Sequence, residues 1–265
     1  MQDRYAGDLG DYLKLGLLRW LAQPGSPASP RLGVVWYRTA GETHNADGKY
    51  IAYLSSGHRS AARLRQLEPD LYERLVSVVA SGRRSTAALA GAGVLGAGTC
   101  FFGDLLDLAD LPVAARAARQ ARRRAWVERA LAATADCDLI FADPDNGIRS
   151  AGHPAPAHRT TAVKHAYLDE LAAFARRGQS LIVYHHADRS AAVSQQARGR
   201  LADLAHEVPA EPVAAVRASR GTSRLFLVAA ATPPHAGYLA GTLTALQAGP
   251  WGSELTVYWP DSGSA

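Results

Sequence analysis

Short apolar runs alternate with longer stretches whose apolar residues recur at helical spacing, and this alternation limits the chain to a layered α/β architecture. The clearest run is Leu139-Ile140-Phe141-Ala142, which breaks at once into Asp143-Pro144-Asp145-Asn146-Gly147. It reads as a buried strand whose end delivers two carboxylates, an amide and a glycine to the edge of a sheet. Residues 32–37, 99–102, 180–184, 224–229 and 254–258 read as further strands. Residues 11–21 carry Leu13, Leu17, Leu18 and Leu21 at helical spacing. Residues 59–80 form one or two helices, 112–134 an arginine-rich one, and 166–177, 198–207 and 238–247 three more. The order predicts a mostly parallel, Rossmann-like sheet with helices on both faces. No repeat interrupts it, so residues 1–265 read as one domain, with 1–30 a helical lead-in and 260–265 a frayed tail.

A hydrophobic content of 48% supports a sizeable core. Asp3, Arg4, Asp8 and Asp11 break up the start, so no secretory leader is expected. Residues 87–102 are too short and glycine-rich for a membrane helix. Cys100 and Cys137 lack metal-ligand spacing and indicate neither a disulfide framework nor a zinc site. A cytoplasmic protein is expected. The net charge of +5 permits an anionic partner without requiring one. Nearly all basic residues are arginine; the lysines Lys14, Lys49 and Lys164 fall within polar motifs, where a compact ammonium can contact a single oxygen.

Three strand ends carry the candidate chemistry. The loop after the first strand supplies Thr43, His44, Asn45 and Asp47, with Gly41 and Gly48 permitting close backbone approach. The second supplies Asp104, and the third Asp143, Asp145 and Asn146. Parallel strands would bring these groups to one crevice. His185 and His186 close a later strand, where alternation lets only one of them face that crevice. Arg116, Arg119, Arg122, Arg123, Arg124 and Arg129 read as a solvated helix face, with a phosphate-tracking surface as the alternative. Tyr5 and Trp20 read as packing residues.

The segment Tyr5-Ala6-Gly7-Asp8-Leu9-Gly10-Asp11-Tyr12-Leu13-Lys14, the loop Thr43-His44-Asn45-Ala46-Asp47-Gly48-Lys49-Tyr50, and the Arg123-Arg124 pair ahead of Asp143-Pro144 occur in one order along the chain. Gly178-Gln179-Ser180-Leu181-Ile182-Val183-Tyr184 and the late Arg220–Val228 segment with Pro233-Pro234 follow in turn. In that order they resemble the bacterial 23S ribosomal RNA adenine-N6 methyltransferases, class I enzymes that use S-adenosylmethionine. The resemblance implies that cofactor, held by Lys14, Thr43, His44, Asn45, Gly48 and Asp104. It implies Asp143, Pro144, Asp145 and Asn146 as the catalytic segment, with Tyr184, His185 and Lys164 against the substrate. The substrate class it implies is a nitrogen nucleophile in nucleic acid, RNA ahead of DNA, or a small amine.

Two departures stand out. Leu15 replaces a histidine of the family's opening motif, and Asp145-Asn146 replaces Pro-aromatic after Asp143-Pro144. Asn146 has no ring to stack on a flipped base, an interaction worth about 1–3 kcal/mol per base, unless Tyr184 or Trp36 substitutes. Two other readings therefore stand beside methyl transfer. One is a metal-dependent nuclease or phosphohydrolase using Asp143, Asp145 and Asp104 around Mg²⁺. The other is a catalytically idle relative that binds a nucleotide or a partner.

Overall fold

The computed structural model describes residues 1–23, 29–41, 48–149, 160–220 and 223–260. Among these described residues nine strands run in chain order: β1 (Leu32–Trp36), β2 (Cys100–Phe102), β3 (Leu139–Asp143), β4 (Gly147–Arg149), β5 (His165–Tyr167), β6 (Ser180–His186), β7 (Glu211–Ala218), β8 (Arg224–Ala230) and β9 (Leu255–Tyr258). Eight helices accompany them: α1 (Leu9–Ala22), α2 (Ala61–Leu67), α3 (Pro69–Ala80), α4 (Thr86–Gly91), α5 (Arg116–Ala133), α6 (Leu168–Ala175), α7 (Val193–Glu207) and α8 (Pro233–Ala248). Seven strands form one sheet in the order β2-β1-β3-β6-β8-β7-β9, and β4 and β5 form a separate parallel pair.

The expected parallel core is present. β2, β1, β3 and β6 run the same way, in a register that sets Gly33 beside Cys100 and Trp36 beside Asp143. Side chains alternate across this core. Val34, Trp36, Phe141 and Ile182 pack on one face with α1, α3 and α8. Val35, Ile140, Ala142, Leu181 and Val183 pack on the other with α5, α6 and α7. Burial on both faces explains why these strands read as unbroken apolar runs rather than alternating ones.

The sheet departs from the expectation beyond β6. There β8 runs antiparallel to both β6 and β7, and β9 antiparallel to β7. β7 is also absent from the sequence reading. Its Glu-Pro-Val-Ala-Ala-Val-Arg-Ala sequence is alanine-rich, and alanine gives little strand signal until its neighbours bury it.

Helix α1 is more deeply buried than an amphipathic helix. Leu13, Leu15, Leu17, Leu18 and Leu21 are all fully buried, so Leu15 is a core residue. The Asp8 side chain caps its N-terminus by accepting from the Asp11 backbone N–H at 2.8 Å. Gln23 ends it in the left-handed conformation. A Cβ at Gly16 would lie 2.0 Å from the Trp251 indole, so glycine lets α1 close on that ring.

Candidate functional site

In an open α/β sheet the chain leaves neighbouring strands in opposite directions at one point, and a crevice opens there beyond their carboxyl ends. Here β1 connects outward to β2 on one side, while β3 connects to β6 on the other. Beside that point, a cavity of about 260 Å³ opens over the carboxyl ends of β3 and β6 and the start of β8. Asp143, Pro144, Asp145 and Asn146 form one wall; Asp8, Gly10, Asp11 and Lys14 of the α1 entry form another. Tyr184, His186 and Arg224 close the side, with Tyr5, Gly48 and Tyr50 at the rim.

Lys14 lies at the centre of the charge pattern. It is buried, and its Nζ sits 2.6 Å from Asp11 Oδ1 and 2.9 Å from Asp143 Oδ2. The Trp36 ring lies beneath, with its centroid 5.0 Å from the ammonium, a cation–π contact. Burial works against the lysine's charge, but Asp11 and then Asp143 outweigh it and hold the ammonium above its usual pKa. Asp11 behaves differently. Burial dominates, with Lys14 opposing, and its carboxyl is lifted to about 6. Its other oxygen accepts from the Gly7 N–H at 3.1 Å. Two carboxylates thus share one ammonium, and one of them holds a proton affinity close to neutral pH.

The turn after β3 is fixed from several directions. The Met1 amine lies 2.8 Å from Asp145 Oδ1, and Gln2 Nε2 donates to Asp145 Oδ2 at 2.8 Å. Burial raises the Asp145 pKa, but the amine and the Gln2 amide outweigh it and leave the carboxyl below its usual range. Asp145 therefore ties the N-terminal segment to the strand end. Gly147 has φ +102°, and a Cβ there would lie 2.3 Å from His185 Nδ1. Only glycine allows this approach, across which the Ile148 N–H donates to His185 Nδ1 at 3.2 Å. Asn146 is exposed at the cavity wall, its amide 3.4 Å from His165 Nε2.

Positive charge gathers on one side of the opening. The Arg224 guanidinium lies over Gly10, where a Cβ would come within 2.5 Å of it. It donates to the Arg220 carbonyl at 3.2 Å. Arg220 and Arg63 both pair with the buried Glu254 carboxylate. Burial, together with the neighbouring Arg63 and Arg59, lowers the Arg220 pKa. Two guanidinium groups thus meet a single carboxylate here.

The cavity brings together Lys14, Gly48, Asp143, Pro144, Asp145, Asn146 and Tyr184 of the expected residues. Thr43, His44 and Asn45 lie outside the described residues. Asp104 does not line the cavity. It follows the edge strand β2, and its carboxylate pairs in solvent with Arg129 at 2.8 Å. His185 points to the opposite face, where burial, with Arg200 and His186 adding, drives its imidazole down to about 3. The cavity-facing histidine is His186, as alternation along β6 requires. Lys164 also lies off the cavity, although its charge helps hold Asp145 ionised. Trp36 is buried beneath Lys14 and offers no ring to a ligand.

Two expectations about aromatic and basic residues change. Tyr5 packs against the core as expected but also lines the cavity. The arginine helix is not uniformly solvated: Arg119 and Arg123 are buried. Arg123 grips Glu170 through two nitrogens, at 2.5 and 2.9 Å, and donates to the carbonyls of Ala162 and His165. Of the residues missed, Asp11 carried a signal in its three-residue helical spacing to Lys14. Arg224 carried none beyond lying near a strand end.

No protein-family model matches the chain, and no curated protein matches it.

Proposed function

We propose that the cavity binds S-adenosylmethionine and a nitrogen nucleophile and that the protein transfers a methyl group between them. The observation that carries this reading is the placement of Asp143 and Pro144 at the carboxyl end of β3, in one cavity with the carboxylates and tyrosines of the α1 entry. The donor set suits such a cofactor. Asp8 and Asp11 match its cationic centres, and the rings of Tyr5 and Tyr50 match its purine. The volume lies just below the range of about 300–1,000 Å³ usual for small-molecule sites. It suffices for the reacting ends of the two molecules. When bound, the cofactor would supply an electrophilic methyl group on a sulfonium centre.

The chain's own residues would do the rest. The Asp143 carboxylate and the Pro144 carbonyl accept hydrogen bonds from the substrate amine and point its lone pair at the methyl group. Lys14 positions Asp143 and supports its charge. Asp11, with a pKa near neutrality, is suited to take up the proton the amine releases. Alignment in a site with little water would supply much of the rate. An anionic substrate, RNA ahead of DNA, would meet Arg59, Arg63, Arg220 and Arg224 on its way in.

The metal-dependent reading has less support. Asp143 and Asp145 are each paired with an ammonium group, and Asp104 lies apart from both. The idle-relative reading keeps one observation in its favour: Asp145 is bound to the N-terminal segment, and Asn146 offers no ring.

Calorimetry with S-adenosylmethionine and its demethylated product, followed by methyl-transfer assays on RNA, DNA and small amines, separates the readings. The methyltransferase predicts binding, turnover, and a loss of at least about 100-fold in turnover for Asp143→Asn. Binding without turnover on any substrate favours the idle relative. No binding at millimolar ligand overturns the proposal.

A further inference from the structure

Cys100 and Cys137 are far apart in sequence but meet at the amino end of the sheet, opposite the cavity. Cys100 opens β2, and Cys137 lies just ahead of β3. Between them runs β1, where Gly33 pairs in register with Cys100. A Cβ on Gly33 would lie 3.0 Å from Cys137 Sγ and 3.1 Å from its Cβ. The missing side chain is therefore the space through which Cys137 leans toward β2. Both cysteines belong to the same face of the sheet, and their thiols share a hydrogen bond. Any larger residue at position 33 would stand between them.

The two thiols differ in access. Cys137 is buried, whereas Cys100 is partly exposed on the edge strand of the sheet. Burial, then the bond to Cys100, raises the Cys137 pKa to about 12, so that sulfur keeps its proton. Arg31 lies close enough to favour negative charge at the pair. An oxidant from solvent meets Cys100 first, with a protonated thiol already in contact behind it.

We propose that Cys100 and Cys137 are a site of reversible oxidative modification, closing an intramolecular disulfide across Gly33 when a peroxide reaches Cys100. In the first step the Cys100 sulfur attacks the peroxide O–O bond. It becomes a sulfenic acid, and one oxygen leaves as water. In the second step the Cys137 sulfur displaces the hydroxyl group, which leaves as water with the Cys137 proton. Two thiols and one hydrogen peroxide thus give one disulfide and two waters. A dithiol returns the pair to its reduced state by exchange.

The test is peptide mapping of the full chain after hydrogen peroxide, digested without reductant. The proposal predicts a cross-linked pair of peptides containing Cys100 and Cys137, lighter by two hydrogen atoms and separated again by dithiothreitol. In Cys137→Ser the reaction should stop at a Cys100 sulfenic acid that dimedone traps. Trapping of that sulfenic acid by dimedone in the unsubstituted chain, without the cross-link, would overturn it. So would disulfide-linked dimers through Cys100, or two free thiols surviving at peroxide concentrations that oxidise free cysteine. Because the unsubstituted protein carries the main result, a variant that fails to fold leaves the answer intact.

Discussion

Replacing Lys14 with methionine keeps most of the side-chain volume and removes the charge. Asp11 and Asp143 would then face each other in the interior without the ammonium that now lies 2.6 and 2.9 Å from them. Removing one partner of a buried ion pair costs about 3–5 kcal/mol, because the remaining charge is left uncompensated. At about 2–4 °C per kcal/mol this is a fall of about 6–20 °C in Tm. The pH dependence distinguishes this cause from simple loss of packing. Asp11 has a folded-state pKa of about 6, above its unfolded value, so the folded protein binds more protons in between. Its contribution to stability therefore falls as pH rises through that window. Without Lys14, Asp11 takes a proton more readily still. The deficit of the variant against the unsubstituted protein should thus be largest near about pH 8 and shrink toward about pH 5. Lys14 itself is held above its usual pKa, so its contribution is complete below the unfolded lysine value and is lost only in strong alkali. Urea denaturation of both proteins across this range measures the effect. A deficit below about 1 kcal/mol, or one independent of pH, would refute the claim that a shared buried charge holds the site together.

Further perturbations test other parts of the structure. Gly48→Ala forces a Cβ to within 2.4 Å of the Arg4 carbonyl oxygen at a φ of +80°, and thermal melting should show a loss of about 1–3 kcal/mol. Arg123→Met leaves Glu170 buried without its two-nitrogen partner and should lower urea stability by about 3–5 kcal/mol, with Arg123→Lys only partly restoring it. Tyr50→Ala, at an exposed rim position, should leave Tm unchanged and weaken S-adenosylmethionine binding by about 5- to 150-fold in calorimetry, if the ring stacks on the purine. His165 and His185 have imidazoles pushed down to about 4 and about 3, chiefly by burial. Below the unfolded histidine pKa the unfolded chain binds more protons, so their contribution to stability should fall with pH from about 6.5 downward. Histidine-to-glutamine variants should flatten that acid slope.

The strand β3 and its polar end were legible from residues alone, because burial on both faces demands an unbroken apolar run and a turn demands Asp, Pro, Asn and Gly. The parallel run of β1, β2 and β3 followed from strand and helix alternation, whereas the register that sets Asp143 beside Trp36 did not. The site's polarity was legible too, since parallel strands present their ends to one edge. Individual contacts were not. Asp104 lay at the expected kind of strand end, yet Arg129 on α5 claims it, because the solvent edge beside β2 places that helix nearer than the crevice.

What the sequence determined by itself is local and periodic: where apolar runs begin and end, which residues can turn, and which stretches have helical spacing. What tertiary structure decided is pairing across distance. Lys14 meets Asp143, Arg123 meets Glu170, and Cys100 meets Cys137 only because helices and strands remote in sequence are packed together. A buried charge needs a partner wherever the fold can supply one, and spacing along the chain does not say which. The antiparallel insertion of β8 is of the same kind. Nothing in the residues of a buried strand records its direction, and only the connections and neighbours around it fix which way it runs.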